Sequence, residues 1–276
     1  MAEDRGSYVV RRQLGRRLRE LREAAGKSID DAVAARLISK GKLSRIENGK
    51  GRVTIGDVRA LCWFYRVPDD VTDLLTAMAP ATEQESWWEQ FGDLVVPEWF
   101  GLYLSLETAA NRIQVWDQDL VHGLLQTEDY ARAVIAAGKD EPVGEVAEQA
   151  VTFRLKRQRA VLDRAPRARI SVILGPGALM RVVGGPDGIA AQLAHLVALH
   201  RSGVVDIRVL PWTSGPYPIR GPFTLFDFDD PADPAVAYVE VPAGARYLEK
   251  PQELALYRGT WAALEQQSLS IEEYLR

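Results

Sequence analysis

Cysteine is nearly missing from this chain. Cys62 is the only one in 276 residues, which excludes an internal disulfide. It lies in the run Leu61-Cys62-Trp63-Phe64-Tyr65 and reads as a core thiol. Histidine is almost as scarce: His195 and His200 are five apart, about 140° around a helix, so they cannot share a metal with each other. No Cys/His cluster has zinc spacing. No apolar run reaches the roughly 18 residues a membrane span needs. The N-terminus lacks the charged, apolar, small-residue order of a secretory signal. These absences predict a cytoplasmic protein with no membrane partner. Catalytic patterns are absent too. There is no Gly-x-Ser-x-Gly elbow. The stretch ILGPGALM opens like a dinucleotide loop with Gly175 and Gly177, but Met180 occupies the third glycine position. Asp229 and Asp230 precede Pro231 and read as a turn. No enzyme activity, no metal and no cofactor is expected.

What is present fits two globular domains. Hydrophobic residues make up 47% and charged residues 26%, enough to build a core within an ordinary surface. The net charge of −4 hides an asymmetry. Residues 1–70 carry 16 basic and 10 acidic side chains, against 18 and 28 in the remainder. A basic head on an acidic body points to a polyanion for the head, with the body repelled from it.

The head is patterned as short helices. Leu14, Leu18 and Leu21 recur at helical spacing, and Gly26 is a natural stop. Ser28 with Asp31 has capping-box spacing and opens a second helix to about Ala35. Ser39 is an N-cap candidate for a third, from Lys40 to about Asn48, closed by Gly49. A fourth covers Ile55–Tyr65, begun near Thr54, and a fifth spans Asp70–Met78. Pro80, Ala81 and Thr82 interrupt the pattern, so domains are expected at 1–80 and 81–276. Within the second, 83–164 reads as largely helical, with a short strand at 111–117 and helices at 127–137 and 143–163. Aromatics at Trp87, Trp88, Phe91, Trp99, Phe100 and Tyr103 read as core packing in preference to a ligand pocket. Residues 165–276 mix strands (170–174, 205–210, 223–228, 235–241) with helices (187–201, 251–267). The expected fold is an all-α five-helix head followed by a larger α+β domain.

Two short helices joined by a turn, the second polar on its outer side, make a helix-turn-helix. Its second helix can enter the major groove of double-stranded DNA. Leu43 and Ile46 are three apart and face the core, leaving Lys40, Lys42, Ser44 and Arg45 outward. Arginine and lysine donate to guanine O6 and N7, and serine pairs with several bases. Ser28 and Ser39 at the two helix starts, Gly41 within the turn of helix, and Lys50 beyond it complete the expected DNA-binding set. Arg11, Arg12, Arg16, Arg17, Arg19 and Arg22 crowd the first helix, some to pair with Glu20 or Glu23 and others to meet the backbone of DNA.

At SKGKLSRIENGK followed by DVRALCWFYRV, residues 10–78 resemble the Xre and phage-repressor class, a lambda-repressor-like fold. The resemblance implies base reading at Lys40, Gly41, Lys42, Ser44 and Arg45, structural roles for Glu47 and Asn48, and homodimeric binding to DNA. Two residues depart from the class. Ile29 replaces a glutamine that often contacts phosphate. Leu37 replaces the turn glycine, and a leucine does not readily take φ > 0. Residues 86–270 resemble the C-terminal domain of WhiJ-like actinobacterial regulators through WWEQFGD, LETAANRIQVWDQDLVHGLLQTEDYARAV, VVGGP, VLPWTSGPYPIRGPFTLFDF, DPAVAYVE and YLEKPQELALYR, with His122 where proline is usual. That resemblance implies an antitoxin-like regulator that can pair with a small partner protein. The Trp212–Pro222 loop reads either as a structural crossover or as a loop for a small-molecule effector or partner, through Trp212, Tyr217 and Arg220.

Overall fold

The computed structural model describes residues 7–49, 51–82, 86–92, 94–138, 144–219, 221–229, 233–241 and 244–276. The chain divides into two compact units, Met1–Glu89 and Gln90–Arg276.

The first unit is helical. Helix α1 (Ser7–Ala24) buries Leu14 and Leu18 completely, and Gly26 at φ +66° ends its run. Ser28 caps α2 (Ile29–Ala34), its hydroxyl accepting from Asp31 N–H while the Asp31 carboxylate accepts from Ser28 N–H. Ser39 caps α3 (Lys40–Glu47) and Thr54 caps α4 (Ile55–Tyr65), the latter again with a reciprocal acid, Asp57. Each cap satisfies backbone donors a helix cannot satisfy itself, and is worth about 1 kcal/mol. Helix α5 (Asp69–Met78) follows Pro68. Leu14, Leu18, Leu43, Ile46, Leu61 and Cys62 meet in one core, so the capped helices are clamped by burial, at roughly 1.5–3 kcal/mol per large aliphatic side chain.

Pro80 does not end this unit. Ala79–Thr82 forms a 3₁₀ turn in which Thr82 is fully buried. Its hydroxyl accepts from Val53 N–H at 3.1 Å and donates towards Ala79 O at 2.7 Å, and its carbonyl accepts from Arg11 Nε. The interruption at Pro80 therefore lies inside the packed unit. A proline that breaks a helix still leaves a chain able to pack through its neighbours.

The second unit is built on a mixed seven-stranded sheet in the order β6-β5-β4-β1-β2-β3-β7. Its elements are α6 (Glu98–Ala109), β1 (Arg112–Asp117), α7 (Glu128–Ala136), α8 (Glu145–Leu162), β2 (Arg169–Leu174), α9 (Pro176–Met180), α10 (Gly185–Arg201), β3 (Asp206–Val209), β4 (Phe223–Asp227), β5 (Val236–Val241), β6 (Gly244–Leu248), α11 (Pro251–Gln267), β7 (Leu269–Ser270) and α12 (Ile271–Tyr274). Strands β1, β2 and β3 run parallel through helical crossovers, and β4, β5 and β6 form an antiparallel meander on the other side of β1. Alternation along β1 serves both faces. Ile113 and Val115 enter a core with Tyr103 and Leu196, while Trp116 enters a second with Trp261 and Leu264 of α11.

The short strand expected at 111–117 is β1, on which the parallel and antiparallel halves join, and the largely helical block from Gln90 on shares one sheet unit with the strand-rich remainder. Strands β6 and β7 were not expected. The first begins on Gly244 and lies at the sheet edge, and the second is two residues long, so neither carries a period-2 pattern of useful length.

Candidate functional site

The turn between α2 and α3 sets the attitude of the outer helix. Arg36 takes φ +56°, Leu37 N–H donates to Ala32 O and Arg36 N–H to Val33 O. This is a Schellman closure with arginine in place of glycine. The positive φ falls on Arg36, so Leu37, expected to be the strained residue, is free to lie half-buried against the core. Position 36 carries the conformational cost because the closing bonds run to residues 32 and 33.

Helix α3 can then lie close on α1. A Cβ at Gly15 would stand 2.0 Å from Ile46 O, so this glycine is what lets the two backbones touch. Below α3, Arg22 holds Glu47 with two hydrogen bonds, Nε at 2.7 Å and Nη2 at 2.9 Å, and its Nη1 donates to Lys27 O. Both side chains are buried. The bond to Glu47 raises the Arg22 pKa against the opposing effect of burial. Arg22 is thus a strut of the fold. Arg11 also turns inward to Thr82, while Arg16 and Arg17 pair with Glu20 and Arg19 with Glu23 on the surface.

The outward side of α3 presents Lys40, Gly41, Lys42 and Arg45 as exposed residues, with Ser44 half-buried. Their charges are not equivalent. Lys40 Nζ lies 2.9 Å from Asp30, and Lys42 Nζ lies 2.6 Å from Asp57. Burial pulls the Asp57 carboxyl up, but Lys42 and the Thr54 hydrogen bonds outweigh it and leave its pKa below the usual value. Arg45 is exposed with no acidic partner among the described residues. Its stem passes Gly51, where a Cβ would lie 3.5 Å from that of Arg45. The neighbouring Arg52 is exposed too, a cation the sequence pattern did not single out because it lies outside any helix. Ser28 and Ser39 are exposed, with hydroxyls engaged as caps. Lys50 lies outside the described residues.

In the second unit, the carboxyl ends of β1, β2 and β3 form a crevice, the place where open α/β sheets hold ligands. One cavity there, about 260 Å³, is lined by Trp116, Gln118, Gly175, Trp212 and Tyr217. Tyr217 meets Trp116 edge-on at 5.6 Å and accepts from Gln118 Nε2 at 2.8 Å, while Trp212 is exposed. Arg220 and Asp230 lie outside the described residues. Gly175 belongs to packing: a Cβ there would be 2.7 Å from Gln118 O.

A larger cavity, about 800 Å³, opens on the other side of β1 beside Trp99, Asp117, His122, Arg154, Tyr238 and Glu240. The predicted aromatic cluster divides here. Trp88 and Tyr103 are buried, Phe100 stacks on Tyr103 at 4.9 Å, and Trp99 is partly exposed on the cavity wall. Beneath this wall Arg157 grips Glu107 through two 2.7 Å hydrogen bonds and lies over the rings of Phe100 and Tyr103. His122 Nδ1 accepts from Leu124 N–H, so its Nε2 carries the proton towards Tyr103 Oη at 3.2 Å. Burial, and then the charges of Arg157 and Arg154, push the His122 pKa well below its usual value. Burial also lowers Arg154, to about 10, with Arg157 adding to the effect. Asp117 is raised to about 7 by burial and by Glu240, against the pull of Arg157. Among the described residues, no three metal-ligating side chains cluster, and no helix is long and apolar enough to cross a membrane.

A capped pair of short helices with a basic outer face defines a helix-turn-helix protein, and residues 13–75 match the family model described as a helix-turn-helix domain. Residues 100–275 match the model described as a domain of unknown function (DUF5753), and the chain belongs to that family. No curated protein and no solved structure matches the chain.

Proposed function

We propose that the protein is a sequence-specific, non-enzymatic transcriptional regulator of the Xre, lambda-repressor-like class, acting in the cytoplasm. Helix α3 enters the major groove of double-stranded DNA, and Lys40, Gly41, Lys42, Ser44 and Arg45 face the bases, with Ser28, Ser39 and Lys50 near the phosphates. The observation that carries this reading is the exposed guanidinium of Arg45, without an acidic partner among the described residues, on a helix whose opposite side is locked into the core by Leu43 and Ile46. Lys40 and Lys42 must exchange Asp30 and Asp57 for DNA, so of the three α3 cations Arg45 binds without first losing an acidic partner among the described residues. One head reads one half-site, and a homodimer reads two. Selection of bound duplexes from a random pool tests the reading: a recovered half-site repeated at helical spacing supports it, and an unenriched pool defeats it.

The second unit, which resembles that of the WhiJ-like regulators of actinobacteria, sets when the head binds. Control by a small-molecule effector is favoured over control by a small partner protein. The support is the larger cavity, whose size suits a small ligand.

A further inference from the structure

The cavity beside β1 carries charges of both signs that the fold leaves open. Val115, Thr224 and Tyr238 are paired in register across β1, β4 and β5. Two residues on, along the same face, β1 ends on Asp117 and β5 reaches Glu240. The two strands are about 10 Å apart across β4. The residue between the acids is Pro222, which has no polar side-chain atom to offer either. Asp117 makes no side-chain hydrogen bond or ion pair with any described residue, and Glu240 accepts only a long bond, 3.4 Å, from Tyr238. From another wall, Arg154 donates to the neutral Gln126 at 2.5 Å and meets no acid among the described residues. Its neighbour Arg157 is already engaged by Glu107. An acid pair and an arginine thus share one cavity without pairing with each other. Asp117 and Arg154 are half-buried, and charges partly withdrawn from water are costly unless they are matched. Trp99, Val121 and Val241 give the same cavity an apolar flank.

We propose that this cavity binds a small zwitterion of the α-amino-acid class, its ammonium on Asp117 and Glu240, its carboxylate on Arg154 and its side chain along Trp99. This deepens the reading of the protein as an effector-controlled regulator and rests on it for any consequence at DNA. An amine alone leaves Arg154 unmatched, and a carboxylate alone leaves the acid pair unmatched.

The test uses the full chain and the L-amino acids as probes at millimolar concentration, read first by thermal unfolding and then by calorimetry. At least one amino acid raises the unfolding temperature. The amine and the des-amino acid bearing the same side chain each bind about tenfold or more weakly. Asp117→Asn, which removes a charge the fold already disfavours, and Arg154→Gln each weaken binding of the amino acid by a similar factor while unfolding remains cooperative. Absence of any shift with the whole set overturns the proposal. So does equal affinity for the amine or the des-amino acid, or unchanged affinity in both variants. Duplex binding measured on the same preparation separates the two failures. DNA binding without amino-acid binding ends the cavity proposal alone. Amino-acid binding without DNA binding ends the regulator reading and leaves the cavity.

Discussion

Each unit buries one arginine against one glutamate through two hydrogen bonds, and the two differ in what surrounds that pair. Around Arg22 and Glu47, nearby charges are either solvated or matched: Lys40 by Asp30, Lys42 by Asp57, Arg19 by Glu23. Around Arg157 and Glu107, Asp117 and Arg154 are half-buried on a cavity wall and unmatched by each other. The first arrangement suits a rigid head that meets a polyanion with surface charge. The second suits a body whose charged groups await a partner brought from solution.

Removing the buried glutamates tests the comparison with the largest effect. Glu107 is fully buried and Glu47 keeps 8% exposure. Glu107→Ala should cost about 3–5 kcal/mol, because it leaves Arg157 buried and uncompensated. Glu47→Ala should cost less, since Arg22 keeps its hydrogen bond to Lys27 O and its ion pair with Glu23. Urea unfolding followed by circular dichroism measures both, and equal costs would remove this distinction between the units. Gly15→Ala comes next. Its methyl group would collide with Ile46 O, so the head should lose about 3 kcal/mol and its duplex binding together, whereas the ligand response of the second unit should survive.

The open charges predict a pH effect confined to the second unit. The folded-state pKa of Asp117, about 7, lies above its unfolded value, so the folded chain holds this proton more tightly. The contribution is full below about pH 4 and is lost as pH rises to 7. Glu240, Asp119, Arg157, Arg154, His122, Tyr103 and Tyr238 are the charged or titratable groups around it among the described residues. Asp117→Asn should therefore flatten the stability profile over that window and gain about 2 kcal/mol at pH 8, with little change at pH 4. Parallel profiles for parent and variant would show that Asp117 is solvated. The smallest effect belongs to the turn: Arg36→Gly should stabilise the head by about 0.5–1 kcal/mol by relieving a positive φ.

The two units were also unequally legible in the sequence. Caps are local chemistry, so Ser28 could be placed from Asp31 three positions away, and Ser39 and Thr54 from the helical runs they precede. Leu43 and Ile46 followed from helical period. The turn was misplaced by one residue because a Schellman closure is defined by bonds back to Ala32 and Val33, which composition does not display. Arg22 looked like its solvated neighbours because its partner lies 25 residues on. In the second unit, β2, β4 and β5 were visible as β-branched runs. The role of β1 as the junction of the two halves was not, because pairing order is non-local. The cavity was least legible. Asp117, Arg154 and Glu240 come from β1, α8 and β5, and only the closed sheet brings them together.

The central claim is that α3 reads DNA through Arg45. Its most direct test is a titration of the full chain and of Arg45→Ala on a duplex recovered by selection, at several salt concentrations. The parent should bind with a log–log salt slope of about −0.9 per phosphate engaged. The variant should lose about 1–3 kcal/mol on the selected duplex and discriminate less against a scrambled one. Equal affinity of parent and variant for the selected duplex would contradict the assignment.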